Sequence, residues 1–168
     1  MAEWILRLMW LLVPNSGWEN TYEKTAQAID QVSHEYPLYD TNDKYVRTAA
    51  ELVAVTYYES RFSPIAVNED FGGDSLGLGQ INSSNLFTLG LTRDDLFNQV
   101  KNLRATVRLL AISHDTCHRW PLVYQLSEYA SGRGLCTVPA ALRDSKRKME
   151  LAQDLLSAYP PFWIDSNQ

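Results

Sequence analysis

One carboxylate in this chain stands where chemistry would need it. Glu59 closes a nearly continuous apolar run of Val46, Ala49, Ala50, Val53, Ala54, Tyr57 and Tyr58. These residues recur at helical spacing and also fill the sides, which predicts a helix buried on most faces. Pro64 disfavours helical backbone before it, so Glu59 and Ser60 are expected in the last turn. A carboxylate on a buried helix is rare unless it is paired or functional. Partial burial and the negative end of the helix dipole both disfavour the charged form, which predicts a raised pKa. A carboxylic acid still protonated near neutral pH can hand its proton to a leaving oxygen. The competing reading is a structural pair with Arg61 or Lys44 at a surface helix end.

Ordinary two-carboxylate glycoside chemistry would need a second carboxylate beside the acid, as base or nucleophile. Glu69, Asp70 and Asp74 are the candidates, although a stretch so rich in Asp, Asn and Gly also reads as a plain turn. His114 and His118 lie four apart beside Cys117, but no fourth ligand has suitable spacing, so no metal and no cofactor are expected. Cys117 and Cys136 are the two cysteines. They can close a disulfide across the intervening loop, worth roughly 3 kcal/mol in the chain-entropy model. Two unpaired buried thiols are the alternative.

Three short motifs follow one another in order. The first is Glu59, Ser60, Phe62, Pro64 and Ala66. The second is Gly77-Leu78-Gly79-Gln80-Ile81-Asn82, after Gly72 and Gly73. The third is Tyr129-Ala130-Ser131-Gly132. Together, from about Val46 to Gly134, they resemble the lytic transglycosylases (SLT domain) of the lysozyme-like superfamily. The continuation through INSSNLFTLGLTRDDLF looks most like the members that accompany type IV secretion systems.

The resemblance implies cleavage of the β-1,4 bond between N-acetylmuramic acid and N-acetylglucosamine in peptidoglycan, leaving 1,6-anhydromuramic ends. It implies Glu59 as acid and then base. Tyr129 would help set the hydrogen bonding of Glu59, and Gln80 with Ile81 would support the acetamido sugar. Ser60 would orient its neighbours or simply finish the helix. Gln80 by itself would be an ordinary surface amide. Two positions depart from the family pattern. Gly79 replaces a Met, removing a side chain that could line the groove, and Ala130 replaces an Asn. A goose-type lysozyme that hydrolyses the same bond is the nearest rival. A chitin-directed hydrolase and a non-catalytic peptidoglycan-binding protein are weaker alternatives.

The elements that must hold these residues are helical. Trp4 to Val13 carries Trp4, Leu8, Leu11 and Leu12 on one stripe and predicts a packing helix. It lacks the basic start and small-residue cleavage site of a signal peptide and is too short to span a membrane. Asn20-x-x-Glu23 has capping-box spacing and opens a helix bearing Tyr22, Ala26, Ile29, Val32 and Tyr36, stopped by Pro37. The stretch from Asn68 to Ser75 reads as a loop, and that from Leu76 to Asn82 as a short strand or loop. Asp94 or Asp95 is expected to cap a helix striped with Leu96, Val100, Leu103, Val107, Leu110 and Ala111.

Pro121 opens a further helix with Leu122, Leu126 and Tyr129, and Pro139 opens the last, with Leu142, Met149, Ala152, Leu155 and Leu156 inward. On that helix Arg143, Lys146, Arg147 and Lys148 read as a solvated face or, more sharply, as a wall-binding patch. Phe162 and Trp163 are expected to tuck back after Pro160-Pro161.

The expected fold is all-α, lysozyme-like with minimal strand content: one goose-type-lysozyme-like domain over residues 1–168, with its motif core at about 44–134. The 168 residues suffice for a real core. A net charge of −5 argues against nucleic acid as partner. The expected partner is the peptidoglycan glycan strand, met by a monomer without a membrane span, in the periplasm or cell envelope. The export route stays open, and a phage product or a trimmed chain would fit.

Overall fold

The computed structural model describes residues 1–161 apart from Phe71, Arg133 and the side chain of Asp70. Phe162 and Trp163 lie outside the described residues. Helix α3 (Lys44–Ser60) runs through the centre. Ala49, Ala50, Leu52, Val53, Ala54 and Val55 are fully enclosed. The short alanines let neighbouring helices approach closely, so α3 packs against α1 (Ala2–Leu12), α2 (Tyr22–Glu35) and α7 (Pro139–Ala158). Helix α5 (Gln99–Thr116) packs on α2, contributing Leu103, Val107 and Leu110 to the same core.

Two helix ends were expected correctly and for the wrong residues. The inward face of α1 is Trp4, Ile5, Leu8 and Met9, while Leu11 points to solvent. Helix α2 follows a 3-10 turn (Glu19–Thr21), and no side chain caps it, so the Asn20–Glu23 box does not form. Tyr36 is exposed past its end. Likewise α3 is stopped not by Pro64 but by two left-handed residues, Arg61 (φ 53°) and Phe62 (φ 62°). Their amides bond back to the carbonyls of Tyr57 and Thr56, which closes the last turn in the manner of a Schellman motif. Burial of the Phe62 ring holds that turn.

The segment expected as a loop is a hairpin. Strand β1 (Val67–Asp70) pairs antiparallel with β2 (Gly73–Leu76), from Val67 opposite Leu76 to Asp70 opposite Gly73. Strand β3 (Ile81–Asn82) adds to β2, giving the order β1-β2-β3. The hairpin reads as loop in the sequence because much of its side-chain surface is polar and solvent-facing, which hides the period-2 signal, whereas β3 falls in the 76–82 stretch expected as a short strand or loop. Beneath them Leu76, Ile81, Leu89, Leu96 and Ala105 form a second, smaller core.

Helix α5 is capped by Asn98, whose side chain accepts from the Lys101 amide; Asp94 and Asp95 instead sit in a 3-10 turn (Asp94–Phe97). Ala111 is exposed. A short helix α4 (Leu86–Leu89) precedes that turn. The helix expected after Pro121 is a 3-10 turn (Leu122–Tyr124) followed by the short α6 (Ser127–Ser131). Among the described residues no helix is long and apolar enough to cross a membrane.

Candidate active site

A groove of about 980 Å³ runs between the sheet, the end of α3, α6 and the start of α7. Glu59, Asn68, Gln80, Tyr129, Ser131 and Asp144 are among its walls. The three residues singled out from sequence, Glu59, Gln80 and Tyr129, thus face one cavity from three separate elements.

Glu59 sits in the last turn of α3 with its side chain 22% exposed. It pairs with neither Arg61 nor Lys44. Its Oε1 accepts from the ammonium of Lys148, which also donates to Asp144 Oδ2. Lys148 was expected on the solvated face of α7; it is 2% exposed and points into the core. Arg143, Lys146 and Arg147 do lie at or near the surface. Lys148 keeps its charge because burial, which works against it, is outweighed by Glu59 and Asp144; its pKa is raised. An ammonium so placed favours the ionised form of Glu59 and opposes the upward push expected from burial and the helix dipole.

Ser60 both caps and orients. Its hydroxyl bonds the Thr56 carbonyl at 3.1 Å and the Leu78 carbonyl at 2.8 Å, tying the 77–80 turn to the end of α3. That turn is templated from below by Asn102 on α5, which is fully buried. Its amide donates to the carbonyls of Leu76 and Leu96, both at 2.9 Å, and its oxygen accepts from the Gly79 amide at 2.8 Å. Gly77 has φ +71°, and a Cβ there would lie 2.4 Å from the Asn102 amide nitrogen and 2.2 Å from the Leu96 carbonyl. A Cβ on Gly79 would lie 2.0 Å from Thr106 Oγ1. The expectation that Gly79 removes a groove-lining side chain is therefore corrected: a side chain there would run into α5.

Gln80 takes a left-handed backbone (φ 49°) and lines the groove. Its Nε2 donates to the carbonyls of Gly77 (3.0 Å) and Ala66 (3.3 Å), and its Oε1 accepts from Asn68 at 2.6 Å. Both amide hydrogens are thereby used, and the oxygen keeps a second lone pair. Ile81 is buried in the smaller core and pairs with Leu76, so it supports the groove floor.

Tyr129 donates to the Gly79 carbonyl at 2.5 Å, and its own amide bonds Ser113 Oγ at 2.9 Å. Burial first and the charge of Glu59 second raise its pKa well above the usual phenol value, so it acts as a neutral donor. The Lys148 ammonium lies 5.4 Å from its ring centroid. Behind it Cys117 and Cys136 are joined in a disulfide that closes the segment carrying α6.

Of the carboxylates considered as the second one, neither Asp74 nor Glu69 is among the described groove walls. Asp74 is paired with Arg93 at 2.6 Å, Glu69 is exposed, and the side chain of Asp70 is outside the described residues. Asp144 is the second carboxylate among the described groove walls, and sequence reasoning passed over it. Its only sequence signal was the i, i+4 spacing to Lys148 on an otherwise apolar-facing helix. Asn102 and Thr106 were also missed, as polar residues four apart on the buried stripe of α5. Among the described residues no group of three or more His, Cys, Asp or Glu side chains is placed to hold a metal ion. His114 instead bonds Glu51 at 2.9 Å and Gln125 at 2.9 Å.

The family model described as Transglycosylase SLT domain matches residues 39–151, more than half of the chain. No curated protein and no solved structure matches it.

Proposed function

The chain belongs to the transglycosylase SLT domain family, and from that membership and the groove we propose that it is a peptidoglycan lytic transglycosylase with Glu59 as acid and base. The observation that carries this is the convergence of Glu59, Gln80 and Tyr129 on one groove, tied together through the 77–80 turn by Ser60, Asn102 and Tyr129. Family members act on peptidoglycan; the specific reaction is our inference.

In the proposed reaction Glu59 gives its proton to the oxygen of the leaving N-acetylglucosamine as the C1–O bond of the muramic sugar breaks. The substrate's acetamido carbonyl oxygen supports C1. Ionised Glu59 then takes the proton of the C6 hydroxyl as O6 bonds to C1, and the acid is restored. An intramolecular nucleophile brings high effective molarity, so no water need be held. Gln80 has its N–H groups committed to Gly77 and Ala66. It therefore meets an acetamido group as an acceptor, through the free lone pair of Oε1. Tyr129 and Ser60 clamp the carbonyls on either side of the Leu78–Gly79 link, fixing Gln80 relative to Glu59.

One observation favours a hydrolytic second reading: Asp144 adds a carboxylate to the groove. It is committed to Lys148 and Arg147, and the sugar-end analysis given in the Discussion separates the two readings. Action at the cell envelope as a monomer, one domain over 1–168, and a link to type IV secretion complete the proposal. Glu59→Gln tests it. Clearing of purified cell walls should be lost while the fold, seen by circular dichroism, is retained; a mutant that clears walls like the parent ends the assignment.

A further inference from the structure

The two sides of the groove differ in charge. On the sheet side Asn68, Gln80, Asn82 and Asn85 offer neutral amides. On the other side the groove meets the first turns of α7, through Ala140 and Asp144. Residues three, four and seven positions apart share one face of a helix. Counted from Ala140, those positions are Arg143, Asp144 and Arg147. The face of α7 that borders the groove therefore carries two arginines, in a chain whose net charge is −5.

Arg147 is anchored at the rim by two groove residues. Its Nη2 donates to Asp144 Oδ1 at 2.9 Å, and its guanidinium lies 5.3 Å from the ring centroid of Tyr58, which also lines the groove. The pairing uses one of the five N–H groups that a guanidinium carries. The side chain is 60% exposed, so the other donors face solvent. Arg143 is exposed, and no hydrogen bond or ion pair ties it to the described residues.

Nearby carboxylates do not absorb this charge. Asp144 is also taken by the buried Lys148. Glu150, the next acid along α7, pairs with Lys146 at 3.5 Å. A cation is left over at the rim, beside a planar fork of donors suited to a carboxylate.

We propose that Arg143 and Arg147 form an anion subsite on the α7 rim, which takes a carboxylate of the peptide stem borne by the muramic sugar. This rests on the reading that the chain cuts peptidoglycan. The chemistry of the substrate matches the two walls. N-acetylglucosamine is uncharged and suits the amide side. Muramic acid bears a lactyl ether, which in the wall is amide-linked to a short peptide. The lactyl carboxyl is thereby spent, and the carboxylates on offer are those of the peptide. Guanidiniums recognise them, and the groove then distinguishes peptidoglycan from uncharged polymers of the same β-1,4 linkage.

The test varies the substrate and the protein together. Purified peptidoglycan, freed of phosphate polymers, is divided in two. One half is treated with carbodiimide and methylamine, which turns the peptide carboxylates into neutral amides. Clearing rates over a range of wall concentrations give kcat/KM for the parent, Arg143→Gln, Arg143→Gln with Arg147→Gln, and Lys146→Gln. Melting curves show that each is folded. On untreated walls Arg143→Gln should lose about threefold and the double variant about tenfold, mainly in KM, the size of one and of two partly exposed ion pairs. On amidated walls the gap between parent and variants should close to within about twofold. Lys146→Gln removes a charge from the same helix away from the groove face, and should match the parent on both walls.

An arginine that acts only through Asp144 would lower activity equally on both substrates, and that result overturns the inference. So does a loss by Lys146→Gln as large as that by Arg143→Gln, which would mean a general field rather than a subsite. Arginine variants that behave like the parent on untreated walls overturn it as well. A Glu59→Gln control that still clears walls overturns the underlying reading instead; one that is inactive, with arginine effects independent of amidation, overturns the subsite alone.

Discussion

Replacing Asn102 by Asp changes almost no volume and isolates what the buried amide does. The oxygen that accepts from Gly79 N is retained. The two N–H groups that satisfy the carbonyls of Leu76 and Leu96 are lost. Each buried acceptor left without a donor costs about 1–3 kcal/mol, so Asn102→Asp should destabilise by about 2–6 kcal/mol at neutral pH. That is a large part of the 5–15 kcal/mol total typical of a domain. The effect should depend on pH. A carboxyl introduced between carbonyl oxygens has a folded pKa above its unfolded value near 4. The folded state then binds more protons across that window, and stability falls as pH rises through it and recovers as pH falls. Urea unfolding followed by tryptophan fluorescence at pH 7 and pH 5 measures both quantities. A midpoint equal to that of the parent at pH 7, or a loss that does not shrink in acid, would refute the claim that Asn102 templates the 77–80 turn.

Gly79→Ala should cost about 1–3 kcal/mol, because its Cβ meets the β-branched Thr106; pairing it with Thr106→Ser, which removes only the methyl, should recover little, since the clash is with Oγ1. A full recovery would mean that the methyl was the obstacle. Reducing the Cys117–Cys136 disulfide should lower stability by about 3 kcal/mol from loop entropy, read as a urea-midpoint shift with and without reductant. His114 is buried, which alone would lower its pKa, but Glu51 and Gln125 raise it overall. Its stabilising contribution is thus full below the unfolded value of about 6.5 and is lost as pH rises through the higher folded value. A melting temperature that falls over that window in the parent and not in Glu51→Gln is the expected outcome. Tyr129→Phe removes the hydrogen bond to Gly79 and should lower turnover while leaving the fold intact; unchanged kinetics would remove Tyr129 from the site.

The helical frame was legible because its signals are local. Ala49, Ala50 and Val53 repeat at the helical period, and Pro139 and Pro160 bracket α7. The hairpin was not legible: strands whose side chains face solvent and a groove carry Asn, Glu, Asp and Ser, which also spell turn. Glu59, Gln80 and Tyr129 could be placed together only through the order of three motifs, since nothing in their own spacing says that they share a cavity. Lys148 shows the limit most clearly. It stands in a run with Arg143, Lys146 and Arg147, and at the resolution of sequence its charge counts as surface. Whether a Lys is buried depends on the partner brought to it from elsewhere in the chain, here Glu59 from a helix 89 residues away. The same holds for Asn102, whose three partners come from the turns above it.

The central claim is that one carboxyl, acting twice, lets the glycan strand close on its own C6 hydroxyl. Mass analysis of sugar ends released from purified sacculi tests this most directly. The account predicts muramic ends lighter by one water, as the 1,6-anhydro form, from the parent and none from Glu59→Gln. Reducing muramic ends without the anhydro form would show that water is the nucleophile and would contradict it.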